Sequence, residues 1–235
     1  MKKVILFDLY DTLLKDIFFD FNRGLTFLYN NFFLNVCTQK ELEDFAATFL
    51  PLYEKRKKDH TEICLIKDEI PYFFKKFGIK QPDSIMEIEY LIMNEIQNVT
   101  VLDEVRNTLR ELQKNSIDMY ILSNSIFTGF TAKKLLNDFG ISHYFNEVFS
   151  SADYGIRKPC STFYHCAIEK ILKDNPEIGK SDILYIGNDY ETDVIGANSV
   201  GLDTVWYNVK HLPNYMNLAI YDIDDIQQVL EIAQK

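Results

Sequence analysis

Residues 4–7 read Val-Ile-Leu-Phe, and Asp8 follows at once. Four branched or aromatic apolar residues in a row predict a buried strand, and this constrains the fold more than any other feature of the chain. A carboxylate at the carboxyl end of such a strand stands where open α/β sheets place their chemistry. Asp8 has the chemistry for two tasks there, nucleophile or metal ligand. Asp11 and Thr12 come next, and an Asx-type turn is the plainer alternative for this segment.

Further along, apolar runs alternate with helical patterns, which predicts a parallel sheet. Strands are expected at 117–122, 147–150, 183–186 and 204–207, and helices at 103–115, 132–139, 161–173, 193–200 and 224–233. Gly140 and Gly201 stand where two of these helices should stop. Ser161, two residues after Pro159, is placed to cap another. Residues 16–98 differ, being poor in strand signals. Leu42, Phe45, Ala46, Phe49 and Leu50 keep helical spacing, and four helices are predicted over 17–33, 39–58, 63–77 and 84–97. The block lies between the first strand and the next, so it reads as a helical module inserted into one sheet. Its many aromatics read as core. The expected division is a core of 1–15 and 99–235 and a cap of 16–98.

Composition narrows the function. The formal net charge of −10 argues against a phosphate-backbone footprint, so nucleic acid is not an expected partner. The basic run at 55–58 (KRKK) has acids on either side and reads as a solvated helix face. Cys37, Cys64, Cys160 and Cys166 form no CxxC pair and read as reduced thiols of a cytoplasmic protein. Asp8 and Asp11 interrupt the N-terminal apolar stretch, so no signal peptide is expected, and no run reaches the ~18 apolar residues of a membrane span. The four histidines are scattered and read as surface or satisfied positions. Oligomeric state and substrate identity are not legible.

Taken together, the strand ends form a constellation. Asp8 follows the first strand, and Ser123 and Asn124 follow the second. The basic pair Arg157 and Lys158 precedes Pro159. Asn188, Asp189, Glu191 and Asp193 follow the strand ending at Ile186. An acid, a hydroxyl, a lysine and an acidic cluster in this order point to a site at the carboxyl edge of the sheet.

The segments FDLYDTL, ILSNS, GIRKP and IGNDYETDVIGANSVGLDTVW resemble, in order, the four motifs of the haloacid dehalogenase-like hydrolases. The resemblance covers nearly the whole chain. It implies a Rossmann-like parallel α/β core with an inserted all-helical cap, and it makes Asp8 the nucleophile. It implies substrate contacts from Thr12, Ser123 and Asn124, with Lys158 offsetting repulsion between Asp8 and an anionic substrate. It implies magnesium (Mg2+) held among Asp8, the main chain of Tyr10, Asn188, Asp189 and Asp193. The expected activity is that of a phosphatase for a small phosphorylated metabolite, working through an aspartyl-phosphate intermediate. The tail GLDTVWYN resembles the small phosphatases that include nucleotidases.

Two positions depart from the phosphatase pattern. Tyr10 stands where the family's phosphatases carry the Asp that acts as general acid and base. Asn188 stands where an Asp usually follows the glycine. Tyr10 is similar to what true haloacid dehalogenases carry, so a metal-free 2-haloacid dehalogenase is the competing expectation. No arginine stands near the start of the second cap helix, where that family has one; Arg23 and Arg56 are the only arginines of the cap. A third expectation is a weakly active member that binds a phosphorylated ligand.

Overall fold

A computed structural model describes residues 2–234. One sheet contains β1 (Val4–Phe7), β4 (Asp118–Ser123), β5 (Glu147–Ser150), β6 (Ile183–Gly187), β7 (Asp203–Tyr207) and β8 (Tyr221–Ile223). Their order is β5-β4-β1-β6-β7-β8, and every pairing is parallel. The chain steps outward from β1 to β4 and β5, then crosses back to place β6 on the other side of β1. This reversal makes the carboxyl ends of β1, β4 and β6 the topological switch point, the usual crevice for ligands in such sheets.

The apolar run that opens the chain is explained by burial on both faces. Ile5 and Phe7 pack into one hydrophobic cluster, and Val4 and Leu6 into the other. The first cluster is covered by α6 (Asp103–Lys114), α7 (Gly129–Asp138) and α11 (Val229–Ala233). The second lies under α9 (Ser161–Asp174) and the short α10 (Gly196–Ser199). Truncating one of these fully buried side chains to alanine costs ~2–5 kcal/mol.

Between residues 20 and 97 the chain forms five α-helices: α1 (Phe21–Leu28), α2 (Gln39–Ala47), α3 (Leu50–Asp59), α4 (Ile70–Lys76) and α5 (Ile85–Ile96). They do not spring directly from the sheet. The strands β2 (Lys15–Phe19) and β3 (Gln97–Thr100) pair antiparallel and bring the two ends of the insertion side by side. The helix expected from residue 17 therefore starts four residues later. Ile17, Phe18 and Phe19 are β-branched or aromatic and suit a strand. Asp20 then caps α1 by accepting from Asn22 N at 2.9 Å.

Proline breaks two of the other expected helices. The one expected over 39–58 is divided before Pro51, which sits in the first turn of α3. The one expected over 63–77 opens as a wide turn, Leu65–Glu69, and becomes α4 at Ile70, with Pro71 in its first turn. In the sheet domain, β8 has no counterpart among the expected strands, because its three residues are too few to carry a pattern. The helix expected over 193–200 is a wide turn, Tyr190–Ile195, followed by α10. Cys160, not Ser161, occupies the cap of α9, without a side-chain hydrogen bond. No helix among the described residues is long and apolar enough to cross a membrane.

Candidate active site

Asp8, Ser123 and Gly187 stand at the carboxyl ends of three adjacent strands. Asp8 is buried, and its N–H donates to Ile186 O at 2.8 Å, extending the ladder by one residue. The chain then folds back tightly. Asp11 adopts a left-handed φ of 58°, and Leu13 N and Leu14 N both donate to Leu9 O at 2.9 Å. The turn brings Thr12 over Asp8, and Thr12 Oγ1 donates to Asp8 Oδ2 at 3.0 Å. The same hydroxyl oxygen is 3.4 Å from Asn188 Oδ1. Asp11 is exposed and turned away, its Oδ1 accepting from Asp16 N.

Lys158 is buried, and all three of its ammonium protons have acceptors. Nζ donates to Asp8 Oδ1 at 2.6 Å, to Asp193 Oδ1 at 2.6 Å and to Tyr185 Oη at 3.0 Å. Burial alone would lower its pKa, but Asp193 and Asp8 outweigh burial and hold the ammonium above its usual range. Burial raises Asp8 to about 6, opposed by Lys158 and reinforced by Asp193. Asn124 fixes the backbone beneath the lysine. Its Oδ1 accepts from Lys158 N at 2.8 Å and its Nδ2 donates to Lys158 O at 3.1 Å. The residue expected to touch substrate is thus first of all a clamp on Lys158.

Ser123 is buried and its Oγ has no hydrogen-bond partner, a costly state that a ligand oxygen would relieve. Tyr10, two residues after Asp8, lines a cavity of about 240 Å³ together with Asn124, Ser125 and Gln97. Its hydroxyl oxygen accepts from Gln97 Nε2 at 3.2 Å, which leaves its own proton free to donate. Burial pushes the phenol up to about 12, so it stays protonated near neutral pH.

The acids after β6 have hydrogen-bond partners within the protein. Asp189 Oδ1 caps the following turn by accepting from Thr192 N at 2.7 Å, and the residue is exposed. Asp193 is engaged through both oxygens: besides Lys158, its Oδ1 accepts from Tyr185 Oη at 2.7 Å, and its Oδ2 accepts from Asp189 N at 2.9 Å. Gly187 permits this approach, since a Cβ there would lie 2.4 Å from Asp193 Cγ. Among the described residues, no three His, Cys, Asp or Glu side chains cluster to hold a metal. Asp8 Oδ2 and Asn188 Oδ1 both lie within 3.4 Å of Thr12 Oγ1. One carboxylate, one amide oxygen and a main-chain carbonyl suit a hard cation that keeps several waters.

The family model of haloacid dehalogenase-like hydrolases matches residues 2–201. The chain belongs to this family. Pyrimidine 5'-nucleotidase PynA of Streptococcus pneumoniae is 30% identical over 172 residues, covering 73% of this chain and 70% of that protein. Two solved members share the fold over 100% of this chain and 99% of their own. One is the putative hydrolase YfnB from Bacillus subtilis, described as bound to magnesium, with a TM-score of 0.61 and 22% identity. The other is a 2-haloacid dehalogenase from Pseudomonas syringae pv. Tomato DC3000, with a TM-score of 0.68 and 20% identity. The chain is therefore a hydrolase of the haloacid dehalogenase-like family, with the α/β fold its motifs implied.

Sequence reasoning brought Asp8, Thr12, Ser123, Lys158 and Asp193 together within that family pattern. It missed Tyr185, whose phenol bridges Lys158 and Asp193. It also missed Glu62 and Arg56 at the edge of the cavity. Tyr185 lies inside an apolar strand, where a tyrosine reads as core. Arg56 is hidden in the basic run, although its i+3 spacing from Tyr53 marks it as facing inward. The Arg56 guanidinium lies 4.9 Å from the centre of the Tyr53 ring.

Proposed function

We propose that this hydrolase is a phosphatase for a small phosphorylated metabolite, acting through an aspartyl-phosphate on Asp8. One observation carries the reading: the Asp8 carboxylate is held between Lys158 and Thr12 while the neighbouring Ser123 hydroxyl waits without a partner. A phosphoryl group spreads negative charge over its equatorial oxygens, and a hydroxyl donor and an ammonium beside the nucleophile match that charge.

In the first step an Asp8 oxygen attacks phosphorus and the bond to the leaving oxygen breaks. Ser123 donates to the phosphoryl oxygens, Lys158 offsets their charge, and the Tyr10 hydroxyl donates to the leaving oxygen. In the second step water attacks phosphorus, the Asp8–phosphorus bond breaks, the water's proton passes to solvent, and phosphate leaves, while Tyr10 has regained from solvent the proton it gave in the first step. A phenol held near 12 is protonated again before that step and carries no negative charge to act as base for the water, so the second step is slow. Magnesium would be held by Asp8, the Tyr10 carbonyl and Asn188, and when bound it neutralises charge on the phosphoryl oxygens. Asp189, which also caps the turn, and Asp193, which also holds Lys158, are the remaining candidate ligands. Residues 16–98 act as a cap over the site, with the β2–β3 ribbon as the link to the core formed by 1–15 and 99–235. The four free thiols support a cytoplasmic setting.

A second reading is favoured by Tyr10 and Asn188, which reduce the acids around Asp8. A 2-haloacid dehalogenase forms an ester on the same carboxylate and needs no metal. The deciding experiment is a phosphate-release screen over small phosphoesters, with and without magnesium, beside a halide-release assay on 2-haloacids. Magnesium-dependent phosphate release is expected. Halide release in excess chelator, with no phosphate release, favours the second reading. Ligand-dependent stabilisation without product marks a binding protein.

A further inference from the structure

Among the described residues, three buried side-chain polar atoms lack a hydrogen-bond partner: Ser123 Oγ, Arg56 Nε and Arg157 Nη1. Folded proteins satisfy nearly all such atoms, so each exception calls for a cause. The three are not scattered. Arg56 and Arg157 line the same cavity of about 240 Å³ as Tyr10 and Asn124, and Ser123 immediately precedes Asn124.

The two arginines come from different parts of the chain and meet at Glu62 on the cavity wall. Arg56 is in the last turn of α3, and Arg157 lies in the loop just before Lys158. Main-chain pairing holds them in register. Thr61 and Ile156 form a bridge, Glu62 N donates to Gly155 O at 2.9 Å, and Arg157 N donates to His60 O at 3.0 Å. A single carboxylate serves both cations. Glu62 Oε1 accepts from Arg56 Nη1 at 2.5 Å, and Glu62 Oε2 is 3.7 Å from Arg157 Nη1. The second distance is within ion-pair range but too long for a hydrogen bond. Glu62 Oε2 is already the acceptor for Ser151 Oγ at 2.9 Å. Two guanidinium groups therefore share one acid, and each keeps an unused donor. The other acid on the cavity wall, Asp16, is exposed at its rim.

We propose that Arg56 and Arg157 form a second anion subsite, and that the preferred substrate is a phosphomonoester bearing a further carboxylate or phosphate group. The reacting phosphoryl group sits at Asp8, and the second anion sits between the two guanidinium forks. Arginine suits the task because its planar donors match both carboxylate and phosphate oxygens. Because one arginine belongs to the helical insertion and the other to the sheet domain, the same anion also fastens the two together. This inference rests on the phosphatase reading of Asp8, and its test separates the two.

Initial rates are measured with magnesium on two matched pairs, ethyl phosphate against phosphoglycolate and propyl phosphate against propane-1,3-diol bisphosphate. Wild type should favour the doubly anionic member of at least one pair by about tenfold or more in kcat/KM, mostly through KM, as hydrogen bonds to a charged group require. The pair that responds tells carboxylate from phosphate. Arg56→Gln and Arg157→Gln should each collapse that preference, and Arg56→Lys should recover only part of it. No preference in wild type, or a preference that survives both Gln variants, overturns the subsite. A purely structural brace would lower stability in the variants without changing the preference. If no phosphate is released from either pair, the phosphatase reading fails and the subsite is judged by binding. Phosphonoacetate raising the Tm of wild type more than ethylphosphonate, and losing that advantage in Arg56→Gln, supports it. Equal shifts overturn it.

Discussion

Lys158 Nζ lies 2.6 Å from Asp8 Oδ1, and the same nitrogen lies 2.6 Å from Asp193 Oδ1. One buried ammonium thus separates two buried carboxylates. Removing it leaves two like charges in a low-dielectric pocket. Lys158→Met should cost ~3–5 kcal/mol, the usual loss when one partner of a buried ion pair is deleted. Denaturant unfolding of wild type and variant checks this. Adding Asp193→Asn to Lys158→Met should recover part of the loss, since one of the stranded charges is gone. A Lys158→Met protein as stable as wild type would show that the pair is not what holds this centre.

Glu89 ties the helical insertion to the sheet domain. It is fully buried on α5, and it accepts from Thr128 N at 3.2 Å and from the hydroxyls of Thr128 and Thr131 at the start of α7. Burial raises its pKa above the ordinary 4.5 despite those hydrogen bonds. A carboxyl raised on folding contributes stability that is full below its unfolded value and is lost as pH rises through the folded value. The Tm advantage of wild type over Glu89→Gln should therefore be greatest in acid and shrink toward neutral pH. A thermal-unfolding series on both proteins reads it, and an advantage that grows with pH contradicts the account.

The sheet was legible because its strands are buried on both faces and read as unbroken apolar runs. The strand-end residues were legible too, because Asp8, Ser123 and Asp193 are polar groups just beyond such runs. The β2–β3 ribbon was not, since Ile17, Phe18 and Phe19 suit a helix core as well as a strand until Gln97–Thr100 supplies the partner. Asp193 illustrates a different limit. Its spacing from Gly187 fitted a metal ligand, but that it also accepts from Lys158, Tyr185 and Asp189 N is something only tertiary contact reveals. Arg56 and Glu62 are six residues apart in a polar stretch, and their pairing follows from the turn after α3.

Asn188 offers magnesium a neutral oxygen beside Asp8. Asn188→Asp should lower the magnesium concentration for half-maximal activity by about tenfold, as a charged ligand replaces a neutral one. Asp189→Asn should change it little, because that carboxylate caps a turn. Magnesium titrations of phosphate release compare the three proteins. A larger effect from Asp189→Asn than from Asn188→Asp would move the metal site.

Tyr10→Asp installs an acid that titrates nearer neutrality than a phenol held at about 12. Proton transfer by a well-placed group typically contributes about 10²- to 10⁴-fold. The variant should speed hydrolysis, most for alkyl phosphates, whose leaving groups need a proton, and least for aryl phosphates. Paired pH–rate profiles on one ester of each kind test it. Loss of activity in Tyr10→Asp, with brisk turnover in wild type, would give the proton-transfer role to Tyr10 itself.

The claim on which all of this rests is covalent catalysis by Asp8 with slow breakdown of the intermediate. Acid-quenched protein, taken during steady turnover of an activated phosphoester with magnesium, should carry a phosphoryl group on the peptide that contains Asp8. Asp8→Asn, folded by circular dichroism, should show neither the adduct nor phosphate release. Steady phosphate release by a folded Asp8→Asn protein, or an adduct on any other residue, would contradict the account.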